Sequence, residues 1–432
     1  MSSKGFSSLG LLPMAVALYT ALPTRGQEGA GRNQQPVQLP EGEGKATVQA
    51  ACGACHSLAQ VTNAGHDRDQ WNTVLHMMIN VGAPLPQDKF DTVLNYLVAH
   101  FPPTPRPEAR IVPGRADVTI KEWVVPTLGS RPHDPMYAPD GSVWYTGQMA
   151  NVLGRFDPKT ETFKEYKLPP KSGPHGLVAD KDGNAWYTAN FAAYIGKLNP
   201  KTGKVTKYPM PDSKARDPHT PIFDGPDRIF FTVQGANMVG RLNLRTGEIK
   251  LVTSPTPRSN PYGMVINSKG IPYFVEFGAN KIASIDPETL DIHEYVLPHG
   301  DSRPRRVAIA SDDVIYYSDY SRGYLGRFDT KTGAMTEWPS PGGPKSQPYG
   351  ITIANGIVWY SESNTKPNTI VRFDPKTEKF QTWAIPSGGG VVRNMVHTPD
   401  GSALWIACSG MNRIGEVQIR GAKISQKNRV KN

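Results

Sequence analysis

Two cysteines and a histidine in the run Cys52-Gly53-Ala54-Cys55-His56 are the residues best placed to do chemistry. Cysteines three apart on one helical turn can each form a thioether to a haem vinyl group. The adjacent histidine then reaches the iron as proximal ligand. The spacing therefore predicts haem c, held through Cys52 and Cys55, with His56 on the iron. Half of a zinc site or a thiol redox pair would use the same cysteines. A zinc site needs a second ligand pair, and Cys408 is the only other cysteine. A redox pair does not require the histidine.

Three helical patterns surround this motif. The first, about Glu43 to Ala54, delivers it. The second runs from about Asp69 to Val81, with Trp71, Val74, Leu75 and Met78 at helical spacing. The third, about Gln87 to His100, carries Phe90, Val93, Leu94 and Leu97 on one face, with Pro86 near its start. Residues 41–101 resemble a small class I cytochrome c. The resemblance rests on Cys-x-x-Cys-His, on Trp71 with Met78 seven residues on, on Gly82-Ala83-Pro84-Leu85 and on the Tyr96-Leu97 helix. It implies Met78 as distal iron ligand, with Met77 as its rival, and a role in electron transfer. Either methionine would also serve as plain core filling.

A proline-rich stretch, 102–116, follows Phe101 with Pro102-Pro103-Thr104-Pro105-Arg106-Pro107 and should be extended. Beyond it the chain repeats. Pro132, Pro174, Pro218, Pro261, Pro304 and Pro348 each open a unit, Val392 opens a seventh, and the spacing is 42 to 44 residues. The units share a plan of four short strands, with turns such as Asp182-Gly183 and Thr202-Gly203 of the second unit as hairpin signals, the pattern of a propeller blade. The seventh unit lacks a fourth strand. Thr119 to Pro126 matches Thr162 to Pro169, the fourth strand of the first unit, so the N-terminal strand is expected to complete the last blade. The predicted fold class is thus multidomain: a small all-α cytochrome c domain, then an all-β seven-bladed propeller over 117–420, closed by its N-terminal strand.

Equivalent repeat positions form rings about a propeller axis. After each opening residue stand His133, His175, His219, Tyr262, Arg305, Tyr349 and Arg393. At the end of each second strand stand Gly147, Ala189, Val233, Glu276, Asp319, Glu362 and Cys408. Histidines thus gather on the first three blades and carboxylates on the next three. His133, His175 and His219 are candidate bases. Glu276, Asp319 and Glu362 are possible channel carboxylates and candidate metal ligands, since hard cations take oxygen donors. The competing reading is structural, with histidines capping strand ends and carboxylates pairing with Arg305 and Arg393. Trp144, Trp186, Trp359 and Trp405 recur at one strand position and read as blade packing.

The repeats resemble the virginiamycin B lyase family through Pro174-His175-Gly176, Trp359-Tyr360-Ser361-Glu362 and Gly235-Ala236-Asn237-Met238-Val239-Gly240. The resemblance implies seven blades. It also implies a magnesium-assisted elimination, with histidines on the last two blades and a glutamate on the last. This chain departs there, with Tyr349 and Arg393 at the histidine positions and Cys408-Ser409 near the glutamate position. Arginine is a poor general base.

The remaining features concern location and partners. Residues 1–28 have the form of a secretory signal, with Lys4 and an apolar run from Leu9 to Leu22, followed by a polar linker over 29–40. Export to the periplasm is expected, with no transmembrane segment after cleavage. The chain carries a formal net charge of +10, part of it in the basic tail 421–432. No basic run is interleaved with aromatics, so a nucleic-acid partner is not expected. The reading is an exported haem electron carrier whose propeller binds or acts on a small molecule. The alternatives are a carbon–oxygen lyase with an accessory haem, and a docking platform for a redox partner protein.

Overall fold

The computed structural model describes residues 37–420. The signal-like segment and the basic tail lie outside the described residues. Seven four-stranded antiparallel sheets follow one another along the chain. In the first, Pro132–Tyr137 is the inner strand, followed outward by Val143–Gly147, Val152–Asp157 and Thr162–Lys167. In the last, Val392–His397, Ala403–Cys408 and Arg413–Arg420 are joined by Asp117–Val124 (β1). β1 pairs with the outer edge from Asp117 opposite Arg420 to Val124 opposite Arg413. The closing strand is the one expected from the repeat pattern. The last blade has an outer edge because a distant segment supplies it.

Packing within a blade follows from its strand-two aromatics. Trp144 stacks on Tyr166 at 5.3 Å, Trp186 on Tyr208 at 5.5 Å and Trp359 on Trp383 at 5.8 Å, centroid to centroid. In the closing blade Trp405 stacks on Trp123 of β1 at 5.7 Å. The four tryptophans are buried, as their recurrence suggested. Beside them, third-strand glycines make room for a second aromatic. A Cβ at Gly196 would sit 2.2 Å from the Tyr187 ring, and one at Gly240 2.3 Å from Phe231.

The expectation of a multidomain chain with a separate all-α cytochrome c domain is corrected. The described chain is an all-β seven-bladed propeller carrying only a few short helices. These are α1 (Lys45–Cys52), α2 (Ala59–Thr62), α3 (Arg68–Asn80) and α4 (Phe90–His100). Helices this short are marginal alone and take their stability from packing. One face of α3 joins Val48, Val93, Leu94 and Leu97 through Trp71 and Leu75. Its other side lies on the propeller. A Cβ at Gly129 would meet the Met77 backbone nitrogen at 2.4 Å, and Gly129 has φ +70, so only glycine suits that contact. The Asn80 amide donates to the Leu128 carbonyl at 2.9 Å. α3 also touches the Ser409–Met411 turn.

The proline-rich stretch is extended and fixed to the sixth blade. Glu108 bridges to Lys366, Val112 N donates to Thr382 Oγ1 at 2.7 Å, and Thr382 Oγ1 donates to the Arg110 carbonyl at 2.6 Å. Among the described residues no helix is long and apolar enough to cross a membrane.

Candidate functional site

The inner strand of every blade is irregular at its start. Pairing with the second strand slips between the opening residue and the third residue after it, in all seven blades. A bulge of this kind takes two residues out of the ladder and re-aims their side chains. Those two residues per blade supply the side chains at the axis.

Their backbone is pinned by a hydroxyl near the end of strand two. Thr146 accepts from Asp134 N in its own blade and donates to the His175 carbonyl of the next at 2.8 Å. Thr188 does the same for Gly176 and His219, Thr232 for Thr220 and Tyr262, and Ser318 for Arg306 and Tyr349. His175, His219, Tyr262 and Tyr349 are therefore each held by a hydroxyl of the preceding blade.

The three predicted histidines come together. Their rings and that of Tyr262 form one series, His133 to His175 at 3.8 Å, His175 to His219 at 3.7 Å and His219 to Tyr262 at 3.9 Å between centroids. The Tyr262 and Tyr349 hydroxyls are hydrogen-bonded to each other. Arg305 lies over Tyr349 at 4.0 Å and Tyr320 at 4.3 Å. Arg306, from the fifth blade, reaches across to Asp134 of the first at 2.8 Å, and both are almost fully buried. Asp134 also meets His133 Nδ1 at 2.8 Å.

Burial and the arginines set the electrostatics. Burial first, then Arg393, Arg306 and Arg131, hold His133 well below its ordinary value. His175 and His219 are held low by burial and by the adjoining histidine. All three are neutral at neutral pH. Arg393 and burial pull Arg131 down to about 9. Burial opposes ionisation of Tyr349, but Arg305, Arg393 and Arg306 outweigh it and bring the phenol down to about 8. The phenol of Tyr262 is pushed up by burial and by Tyr349.

The predicted carboxylates do not join this cluster. Glu276, Asp319 and Glu362 are fully buried opposite the opening prolines of their own blades. Glu276 accepts from Ser254 Oγ. Asp319 accepts from Arg303 N at 2.9 Å and Arg322 Nη1 at 3.2 Å. Glu362 accepts from Ser340 Oγ at 2.5 Å, Gly342 N at 2.6 Å and Thr369 Oγ1 at 2.6 Å. They satisfy local donors, so they do not make the oxygen-rich cage that Mg2+ requires. His133, Asp134 and His175 do place donor atoms within 4.8 Å of one another. Asp134 is already held by Arg306, and the surrounding arginines disfavour a divalent cation.

Sequence reasoning missed Asp134, Arg306 and Arg131. The first two share one ring position, two residues after the opening proline, where Asp134, Gly176, Thr220, Gly263, Arg306, Gly350 and Asn394 stand. Comparing that ring would have shown an acid facing an arginine. Arg131 precedes its proline with φ +54, a left-handed conformation signalled by Gly173, Asp217 and Asn260 at the same place in later blades and not by the arginine itself.

In the helical segment, Cys52 is half-buried and Cys55 exposed. Burial pushes the Cys52 thiol up. His56 Nδ1 lies 3.1 Å from the Ser57 carbonyl, which leaves Nε2 for a metal, the usual arrangement of a ligating histidine. Cys52, Leu58, Val74 and Leu85 form the half-buried margin of the helical apolar cluster. Met78 follows Val74 by one turn and is half-buried, whereas Met77 is buried. These residues fit a covalently attached haem, with Met78 rather than Met77 on the half-buried side.

Comparison with known proteins agrees with the fold and the repeat motifs. The virginiamycin B lyase family model matches residues 104–352 and 291–427. A crystal structure of virginiamycin B lyase from Staphylococcus aureus is 25% identical, with a TM-score of 0.64. The match covers 70% of this chain and 99% of that one. A catalytically inactive histidine-to-alanine variant of that enzyme, solved with quinupristin, matches equally. Hydrazine synthase from Kuenenia stuttgartiensis, 13% identical with a TM-score of 0.58 over 67% of this chain and 96% of that one, shares the fold alone. A comparison with curated proteins finds no match. At the positions where lyase histidines and glutamate were expected, Tyr349 is bonded to Tyr262, Arg393 is an arginine, and the Cys408 thiol is pushed well up by burial. Ser409 donates to the Pro132 carbonyl at 2.6 Å. With its seven blades, its repeat motifs and a family match over most of its length, the chain belongs to the virginiamycin B lyase family.

Proposed function

We propose that the protein is an exported electron-transfer protein. In this reading haem c is held by Cys52, Cys55 and His56, with Met78 as distal ligand, and the propeller binds a small molecule at its axis. The haem would supply one-electron transfer, and histidine–methionine ligation would raise its reduction potential, so that it would take electrons from a reduced substrate or a donor partner. The observation that carries the reading is the seating of α3. It rests on Gly129, two residues before Arg131 of the axial cluster, and α3 shares its apolar cluster with Cys52 of the Cys-x-x-Cys-His segment. The chain's own residues would bind and orient the substrate: the arginines by charge, Tyr262 and Tyr349 by their shared hydroxyls, and the neutral histidines as proton acceptors. Of these, His175 has a buried Nδ1 without a partner.

Lyase chemistry is the weaker reading, because Tyr349, Arg393 and Cys408 replace the expected base and carboxylate. The test is anaerobic mixing of the oxidised holoprotein with fractionated periplasmic small molecules, then with candidate redox proteins. Haem reduction by a small-molecule fraction, abolished by His175→Ala with an unchanged haem spectrum, is expected. Reduction only by a protein fraction would replace this reading with the docking platform. Magnesium-dependent opening of a streptogramin B ring without haem reduction would replace it with the lyase.

A further inference from the structure

The axial cluster has far more positive than negative charge. Arg131, Arg305, Arg306 and Arg393 act on one another and on the same histidines and tyrosines. Among the described residues, Asp134 is the carboxylate that answers them, and Arg306 takes it. The Nε atoms of Arg305, Arg306 and Arg393 are buried without a hydrogen-bond partner, as is His175 Nδ1. Guanidiniums stay protonated, and a buried charge without a partner costs several kcal/mol, so a fold keeps such groups together only with a counter-charge. Aromatic faces cover the flat sides of Arg305, from Tyr349, Tyr320, Phe277 and Tyr262. Its buried Nε has no partner, and the N–H edge of a guanidinium fits the oxygens of an anion.

We infer that the axial cluster is an anion site, in which Arg305, Arg393 and Arg131 receive a carboxylate or phosphate group of the small molecule. The inference rests on the reading of the propeller axis as a small-molecule site, and names the chemical class that site takes. The Tyr262–Tyr349 pair leaves one hydroxyl hydrogen free to donate, and His175 Nδ1 adds a further donor in the N–H tautomer. The tyrosine and phenylalanine rings around Arg305 form an apolar wall for the rest of the molecule.

The test is calorimetric titration at low salt, below the Tyr349 transition, with malonate and with inorganic phosphate as probes. It uses the full protein and a haem-free Cys52→Ser/Cys55→Ser variant. Saturable one-to-one binding of either probe is expected in both forms. Tighter malonate would identify a carboxylate ligand, and tighter phosphate a phosphoryl one. Arg393→Gln should weaken binding at least about tenfold, equivalent to about 1.4 kcal/mol. Lys250→Gln, in a separate basic surface pocket with Arg228 and Arg241, should leave it unchanged. If Arg393→Gln does not fold, Arg305→Gln must show the same loss. No saturable binding by the folded wild type, or equal weakening by Lys250→Gln, would overturn the inference. Anion binding by a protein that never acquires haem would refute the electron-transfer reading and leave the anion site standing.

Discussion

Asp134 and Arg306 meet across the ring with almost no exposure, 172 residues apart in the chain. Removing one partner of a buried pair strands the other, at a cost of about 3–5 kcal/mol. Asp134→Asn should therefore lower stability to urea by about that much, and more than any exposed ion pair of the outer strands. The double variant Asp134→Asn/Arg306→Met should be less damaged than the sum of its parts. Simple additivity in urea unfolding would show that the pair is not coupled. Tyr349 gives a second prediction. Its phenolate, favoured by Arg305, Arg393 and Arg306, should form as pH rises through about 8. A tyrosinate absorbance step there should vanish in Tyr349→Phe and move upward in Arg393→Gln, which removes an attracting charge. A step unchanged in Tyr349→Phe would assign it to another tyrosine. The histidines of this cluster were legible in the sequence because each follows an opening proline. The Asp134–Arg306 pair was not read, because the bulge that turns both toward the axis lies in the pairing register.

Four blades share a pair of choices, an aromatic on strand two and glycine on strand three, at Tyr145/Gly154, Tyr187/Gly196, Phe231/Gly240 and Tyr317/Gly326. Gly196→Ala would drive a methyl into Tyr187, which cannot retreat because its hydroxyl meets Tyr194. Overpacking of this kind costs roughly 1–3 kcal/mol. A matching loss of stability in urea is expected, relieved when Tyr187→Leu is added. A neutral Gly196→Ala would show that the ring moves freely. These elements were almost fully readable, since the opening residues recur every 42 to 44 residues and Asp-Gly or Thr-Gly turns and the four tryptophans fall at matching places in several units. The helical patterns were readable too, and α3 and α4 lie close to their expected bounds. What helical periodicity did not carry was their independence. The back of α3 lies on Gly129 and Leu128, a contact between segments some 50 residues apart that no local pattern encodes.

At the scale of the molecule, the ring is closed by β1 and the helices are seated beside the closure. Trp123 stacks on Trp405, and the Asn412 side chain donates to the carbonyls of Val125 and Thr127, just before Gly129. Trp123→Ala should therefore loosen both the seventh blade and the helical segment, read as faster hydrogen exchange in Arg413–Arg420 and in α3 together. Exchange rising in the blade alone would mean that the helices are seated independently. The same seating makes the helical segment that carries Cys-x-x-Cys-His the centre of the functional account. The most direct measurement is the mass and visible spectrum of the denatured protein, purified after export from cells able to attach haem c. The account predicts one haem per chain that survives denaturation and is lost in Cys52→Ser/Cys55→Ser. A folded, exported protein of haem-free mass would contradict it.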